Sequence, residues 1–470
     1  MGAIVQQDVD LAREYRAVGF GDERLRRRLL RVAALVAAEP EASFPAATGN
    51  DADLEATYRF LNNERVTADE IMEPHVAQTV RRAGGVERVV VAHDTTELNF
   101  GRSARADLGR VGRGKSFGFY GHFALAVAPG AVRSPLGVLG FEIHSRRGRK
   151  GRRGHLALQN DSDNESRRWL NLVERSAKAL GDRRAIHVMD READSYRLMA
   201  ALVAERHRFV IRMAGAKRAV VDAEEQTVGA LLDGAVVLAE REVPLSGRGP
   251  NPLPSYRKLH PERRARVATL AVSATRVTLI RPVSSSQSPA KQLTLNVVRV
   301  VESDPPAGET AVEWRLWTTE PIETAADVLA VVDAYRCRWM IEEYFKALKL
   351  GCALESRQLE SEHALVNALA LFVPVAWRLL MLRTLSRDRG DAPATTVLTA
   401  VQLRCLSGAL VQLKRPPLPP TPTIADALLG VAGLGGHIKN NGDPGWIVLG
   451  RGLDKLLMIE LGYRLATEQM

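Results

Sequence analysis

Cysteine is scarce in this 470-residue chain, with only Cys337, Cys352 and Cys405. Three thiols cannot build a disulfide framework, and without a CxxC pair they do not point to a thiolate zinc site. That usage fits a reducing cytoplasm. Long apolar runs are also lacking. The most hydrophobic stretch, residues 364–377, is interrupted by Pro374 and followed by Arg378. It is too short to span a bilayer, so a buried helix and no membrane partner are expected. The opening residues MGAIVQQDVDLAREYR are charged and show no apolar signal core, which favours a cytoplasmic location. No segment repeats at a period of roughly 20–50 residues.

What the chain does have is basic charge. Lysine and arginine number 65 against 55 acids, a net charge of +10 and an isoelectric point near 9.7. This balance favours a polyanionic partner, although solubility alone could use it. Apolar residues make up 46% and charged residues 26%, a globular profile that excludes wholesale disorder. At roughly 100–200 residues per domain, about three domains are expected.

The amino-terminal region reads helical. Leu25, Leu29 and Val32 recur at helical spacing, leaving Arg24, Arg26, Arg27, Arg28 and Arg31 on the other faces,. A small DNA-binding module and a solvated amphipathic helix both fit this pattern. From residue 86 the period changes. VERVVVA (86–92), residues 123–127 and GVLGFEIH (137–144) read as three strands of an antiparallel meander,. A glycine-interspersed basic run follows, with Arg146, Arg147, Arg149, Lys150, Arg152 and Arg153. It suits phosphates, and equally a solvated loop. Residues 166–180 read as a helix, AIHVM (185–189) as a buried strand, 194–205 as a helix and RFVIRM (208–213) as another strand, so the sheet gains a parallel portion. Residues 215–320 read as all-β with long polar loops. The chain then returns to helix, and RPPLPPTPT (415–423) divides a carboxy-terminal helical region.

Two acids lie at expected strand ends, Asp94 in VVVAHDTT and Asp190 in AIHVMDREAD. Strand-end loops are where α/β proteins build sites, but an aspartate there is more often a turn or helix cap. The segment AVVDAYRCRWMIEEYFKALKLG reads as one helix. At about 100° per residue, Tyr335, Arg338, Glu342 and Lys349 fall within roughly 60° of one another. Lys346 lies near this stripe and Glu343 does not. A solvated charged face laced with i,i+4 pairs would look the same. Three separated carboxylates among many cations suit magnesium, a hard cation that takes oxygen ligands. Two such ions can clamp the attacking and leaving oxygens of a displacement at phosphorus.

These segments together resemble the DDE transposases of the insertion-sequence-four family, in the cut-and-paste subgroup that works through DNA hairpins. The motifs are Asp94-Thr95-Thr96, Asp190-Arg191-Glu192-Ala193-Asp194, and Y-x2-R-x3-E-x6-K filled by Tyr335, Arg338, Glu342 and Lys349. The resemblance implies an α/β fold, with an RNase H-like catalytic core and an all-β insertion. Residues 1–75 would form a helical DNA-binding domain and 76–214 the first part of the core. Residues 215–320 would be the β-rich insertion, 321–386 the last part of the core with the glutamate helix, and 387–470 a helical dimerisation region.

It further implies that Asp94, Asp190 and Glu342 are catalytic and hold two Mg2+ ions, with Mn2+ a substitute. Tyr335, Arg338 and Lys349 would contact the phosphates of the transposon end. Arg212 would help organise the hairpin, and Trp314 would stack where a base is flipped out, with Trp317 as its neighbour. Lys346, Arg27 and Arg28 would add DNA contacts. The implied activity is that of an endonuclease and strand transferase. One strand is cut at the inverted repeat, the 3′-OH attacks the other strand, the hairpin is opened, and the end joins target DNA. A homodimer would pair two ends, in a bacterial, nucleoid-associated cytoplasmic protein. A catalytically silent DNA-binding relative, an RNase H-like structure-selective nuclease and a non-DNA carboxylate hydrolase are the alternatives.

Overall fold

The computed structural model describes residues 14–15, 18–38, 42–103, 105–112, 115–130, 133–145, 167–181, 185–215, 227–245, 247–250, 262–285, 288, 290–438 and 442–468. The basic run at 146–153 lies outside them. Two compact units emerge, one built from residues 1–183 with 339–470, the other from 184–338.

The first unit opens on α1 (Glu23–Ala38), α2 (Phe44–Thr48) and α3 (Asp51–Leu61). Leu29 and Val32 are fully buried, so the expected apolar stripe of α1 faces the core. Arg28 and Arg31 reach Asp53 of α3 at 3.3 and 2.5 Å. A capping box, Thr67 with Glu70, starts α4 (Ala68–Gly84), satisfying amides that the first turn would otherwise orphan.

Four strands follow: β1 (Val90–Asn99), β2 (Gly109–Val111), β3 (Ser116–Ala128) and β4 (Ser134–His144). Strand β3 pairs antiparallel with β1, β2 and β4, as the meander expectation had it, with β2 as an addition. Helix α4 lies on β4 at a glycine. A Cβ at Gly137 (φ +143°) would stand 2.9 Å from Arg82 Nη2 and 3.0 Å from Thr79 Cβ, so a larger residue there would push the helix off the sheet. After α5 (Arg167–Leu180) this unit resumes at residue 339.

Its centre is α10 (Glu362–Asp388), packed against α3, α4 and β4. The helix runs well beyond the apolar stretch expected from sequence. By length and composition it could cross a membrane, but 94% of its most apolar window is buried inside the protein. Each buried Leu, Val or Phe contributes about 1.5–3 kcal/mol, which is what makes such a helix a core element. Its polar anchor is ionic. Arg82 donates to Glu14 at 2.6 Å, and its guanidinium lies 4.0 Å from the Trp377 ring centroid. His75 accepts from the Val138 amide at Nε2 and meets Glu14 at Nδ1. This leaves His75 in a neutral tautomer.

Helices α11 (Ala400–Gln412), α12 (Ile424–Leu434) and α13 (Trp446–Glu468) complete the unit. Helices α12 and α13 meet backbone to backbone. A Cβ at Gly452 would stand 2.6 Å from the Val431 carbonyl carbon.

In the second unit, β5 (Ile186–Met189) and β6 (Arg208–Arg212) pair in parallel, linked through α6 (Tyr196–Ala204). The 227–320 segment contributes α7 (Val228–Asp233), β7 (Val237–Leu245), β8 (Arg266–Ile280), β9 (Gln292–Glu302) and β10 (Glu313–Thr318). It is therefore β-rich rather than all-β. It also extends the parallel pair, because β10 hydrogen-bonds antiparallel to β6, then β9, β8 and β7 follow antiparallel. Helix α8 (Ala325–Arg336), started by the Thr324–Asp327 capping box, packs on this sheet.

Candidate functional site

The first unit carries Asp94, Glu342, Lys346, Lys349, Arg27 and Arg28. The second carries Asp190, Arg212, Trp314, Tyr335 and Arg338.

Asp94 is not at a strand end. It sits midway along β1, paired opposite Phe123, because β1 continues to Asn99. Thr95 and Thr96 are β-branched, and Leu98 falls on the buried side, so the strand pattern survives the acid. Helix α9 (Trp339–Lys346), which carries Glu342, packs against β1. Asp94 and Glu342 are both half-buried. Beside Asp94, His93 and His122 are buried and stacked at 5.9 Å. Burial drives both pKa values far down, so these rings are neutral.

The expected single helix is broken twice. Tight i,i+3 bonds, Cys337 N to Ala334 O at 3.1 Å and Arg338 N to Tyr335 O at 3.0 Å, end α8 before α9 begins. Then residues Ala347–Gly351 form a π-turn, closed by Cys352 N donating to Ala347 O at 3.0 Å. A π-turn adds a residue to the helical repeat and is frequent at functional sites. The assumed 100° step therefore does not carry from Tyr335 through Lys349.

Lys349 projects from that π-turn, three-quarters buried, with Nζ 4.0 Å from Glu355. Burial pushes its pKa down, and Glu355 and Glu97 pull it back up. Glu355 also accepts from the Asn99 amide at 2.8 Å, tying the end of β1 to the segment after the turn. Lys346 is exposed and pairs with Glu343 at 2.5 Å. Arg27 is 70% exposed, 3.8 Å from Glu23, whereas Arg28 is held by Asp53.

In the second unit Asp190 follows β5 directly and caps a short 3-10 turn by accepting from Glu192 N at 2.9 Å. Both the strand-end and the cap readings hold for it. Around it the chain gathers cations. Tyr335 is buried on α8, and its phenol interacts with Arg338 and Arg212. Burial raises its pKa, and the two guanidinium groups oppose that rise. Desolvation and the nearby Arg212 lower the pKa of Arg191. Three guanidinium groups crowded around one phenol form a site that favours an anion.

Trp314, on β10, is half-buried with its ring 5.9 Å from Tyr335. Trp317 is fully buried, and its Nε1 donates to Asp194 at 3.0 Å. It is a core tryptophan, since residues three apart on a strand face opposite sides.

Sequence reasoning missed Arg191 and Glu355 as site residues. Arg191 stands inside the quoted DREAD string, whereas nothing local marks Glu355. Among the described residues, no three His, Cys, Asp or Glu side chains gather closely enough to hold a metal ion.

Residues 11–66 match the family model for transposase DNA-binding, and residues 155–373 match the model for the transposase DDE domain. Asp190 and Glu342 fall inside the second match, and Asp94 precedes it. Among solved structures, a cryo-electron microscopy structure of a piggyBac transposase synaptic complex with hairpin DNA is 11% identical. The alignment covers 89% of this chain and 84% of that one, with a TM-score of 0.32. That likeness is too low to bear on fold or function. The two domain matches support a DDE transposase, and the mixed α/β architecture fits an RNase H-like core.

Proposed function

We propose, for a chain bearing a transposase DNA-binding domain and a DDE domain, that it excises and inserts DNA by cut-and-paste through hairpin ends. The observation that carries this reading is the cluster of Arg191, Arg212, Arg338 and Tyr335 around the acid-bearing strand end at Asp190. Such a cluster suits a DNA phosphate lying beside a catalytic carboxylate.

Asp94, Asp190 and Glu342 are the proposed triad. The donor set is all carboxylate, which fits a hard cation such as Mg2+, with Mn2+ as substitute. When bound, the metal would stabilise charge developing on the attacking and leaving oxygens. The chain's own residues do the rest. Arg338, Arg212 and the Tyr335 hydroxyl hold non-bridging phosphate oxygens and fix the scissile bond. Lys349, whose pKa Glu355 and Glu97 pull up against burial, adds a further cation. Trp314 offers an indole face that offsets the stacking lost by an extruded base.

Cleavage of one strand leaves a 3′-OH. That hydroxyl attacks the phosphate at the element's 5′ end on the opposite strand and displaces the 3′-oxygen of the flanking DNA, closing a hairpin. Water reopens the hairpin, and the freed 3′-OH displaces a phosphodiester oxygen in the target. Each step breaks one P–O bond and forms another, so one triad serves all. Residues 1–75 would bind the inverted repeats, and residues 387–470 would join two protomers, each cutting the end bound mainly by its partner.

The test uses a plasmid carrying the cognate ends. The parent protein cuts it in magnesium, and Asp94→Ala, Asp190→Ala and Glu342→Ala bind the ends without cutting. Full cleavage by Asp190→Ala or Glu342→Ala refutes the proposal. Binding without any cleavage by the parent would mark a silent DNA-binding relative.

A further inference from the structure

A second basic site lies in the first unit. A cavity of about 130 Å3 opens where α9, α10 and the start of α13 meet the turn before β4. Arg133, Arg383 and Arg387 line it, together with Trp339 and Trp446. The Arg383 guanidinium lies 4.3 Å from the Trp446 ring centroid, and its Nη1 is buried with no hydrogen-bond partner among the described residues. Nη1 itself is closed off from the cavity, so the other Arg383 atoms, which do line it, are the ones open to an anion,.

Acids nearby take up part of this charge. Glu343 lines the cavity but is engaged by Lys346 at 2.5 Å. Asp388 also lines it, and Asp443 stands 3.5 Å from Arg387. Burial and the adjacent Arg387 charge push the Arg383 pKa down, with Glu343 and Asp443 pulling against them. The positive end of the α13 dipole adds to the field at Trp446.

The geometry points to a phosphate-binding site in this cavity, with Arg383 and Arg387 as its donors, taking a backbone phosphate of DNA outside the proposed triad. This rests on the DNA-processing reading above. A free phosphate or mononucleotide shares the chemistry, and the test separates the two sources.

Full-length protein, Arg383→Gln and Arg387→Gln are each titrated with labelled duplex across a salt series, and separately with inorganic phosphate by calorimetry. Arg387 is exposed, so its variant guards against a folding defect at Arg383, and melting curves check both. A DNA source predicts that log K against log salt becomes shallower by about 0.9 for one lost phosphate contact, in both variants. A free-anion source predicts phosphate heat in the parent that both variants lose. An unchanged slope with no phosphate heat overturns the proposal. A parent that takes phosphate but shows no salt-dependent DNA binding sinks the transposase reading and leaves the cavity site standing.

Discussion

Replacing Gly450 with alanine probes the contact between α13 and the turn that carries Lys349. A Cβ at Gly450 would stand 3.1 Å from both Cα and C of Gly351, and nearer still to its carbonyl oxygen. Ordinary carbon contacts need about 3.5–4.0 Å. The obstacle is backbone and cannot rotate away, so α13 must move outward or the π-turn must deform. Overpacking of this kind costs up to about 3 kcal/mol. Alanine recovers about 1 kcal/mol of helix propensity, leaving a net loss near 2 kcal/mol. Gly462 lies on the same helix with nothing among the described residues within 4 Å of its would-be Cβ. There the same substitution should only stabilise, by about 1 kcal/mol. The two variants should therefore differ by about 3 kcal/mol, or roughly 6 °C at about 2 °C per kcal/mol for a large domain. Thermal melts monitored by circular dichroism would read this out. Because Gly351 is two residues past Lys349, Gly450→Ala should also cut DNA more slowly at temperatures where it is still folded. If Gly450→Ala melts with or above Gly462→Ala, the backbone contact is not what seats α13.

Three further perturbations follow from the same geometry. Burial and the Arg82 charge depress the His75 pKa below 6.5, against the pull of Glu14. The unfolded chain then binds a proton that the folded chain refuses, so stability falls as pH drops below about 6.5. His75→Gln should flatten the decline in melting temperature from pH 7 to 5, leaving the part due to His93 and His122, and an unchanged slope would refute this. Trp317→Ala should cost about 3–5 kcal/mol as a fully buried indole, whereas Trp314→Ala should cost clearly less, its ring pair with Tyr335 adding about 1 kcal/mol to the smaller area it buries. Denaturant titration distinguishes these, and equal losses would remove the distinction drawn between core and site. Glu355→Gln removes a charge that holds the Lys349 pKa up, so the alkaline limb of the cleavage rate should move to lower pH. A limb that stays put would separate Glu355 from Lys349.

The sequence made elements legible wherever the apolar period was strong. The stripe of α1, the β1–β3–β4 meander, the β5–α6–β6 run and the buried α10 all overlap the segments periodicity marked, although β1 starts later and runs on to Asn99 and α10 extends to Asp388. What escaped depends on backbone geometry or distant partners. Asp94 looked like a strand terminus because an aspartate is a poor strand former, yet pairing with β3 carries β1 through it. The tyrosine-to-lysine stripe assumed an unbroken helix, and neither the tight turn at Cys337 nor the π-turn after Lys346 has a local sequence mark. The β10–β6 pairing joins residues about a hundred apart in the chain, which no window of sequence can display. Glu355 matters through Lys349 and the Asn99 amide, and Arg191 through Arg212.

The Gly450–Gly351 contact has a consequence for shortened copies of this protein. Residues after 445 do not form a detachable appendage, because α13 is one wall of the bend bearing Lys349. A frameshift or stop codon just upstream of Trp446 would spare every acid of the proposed triad and still leave that bend without its backing. Under the proposed function, a chain truncated there should lose cutting before it loses DNA binding.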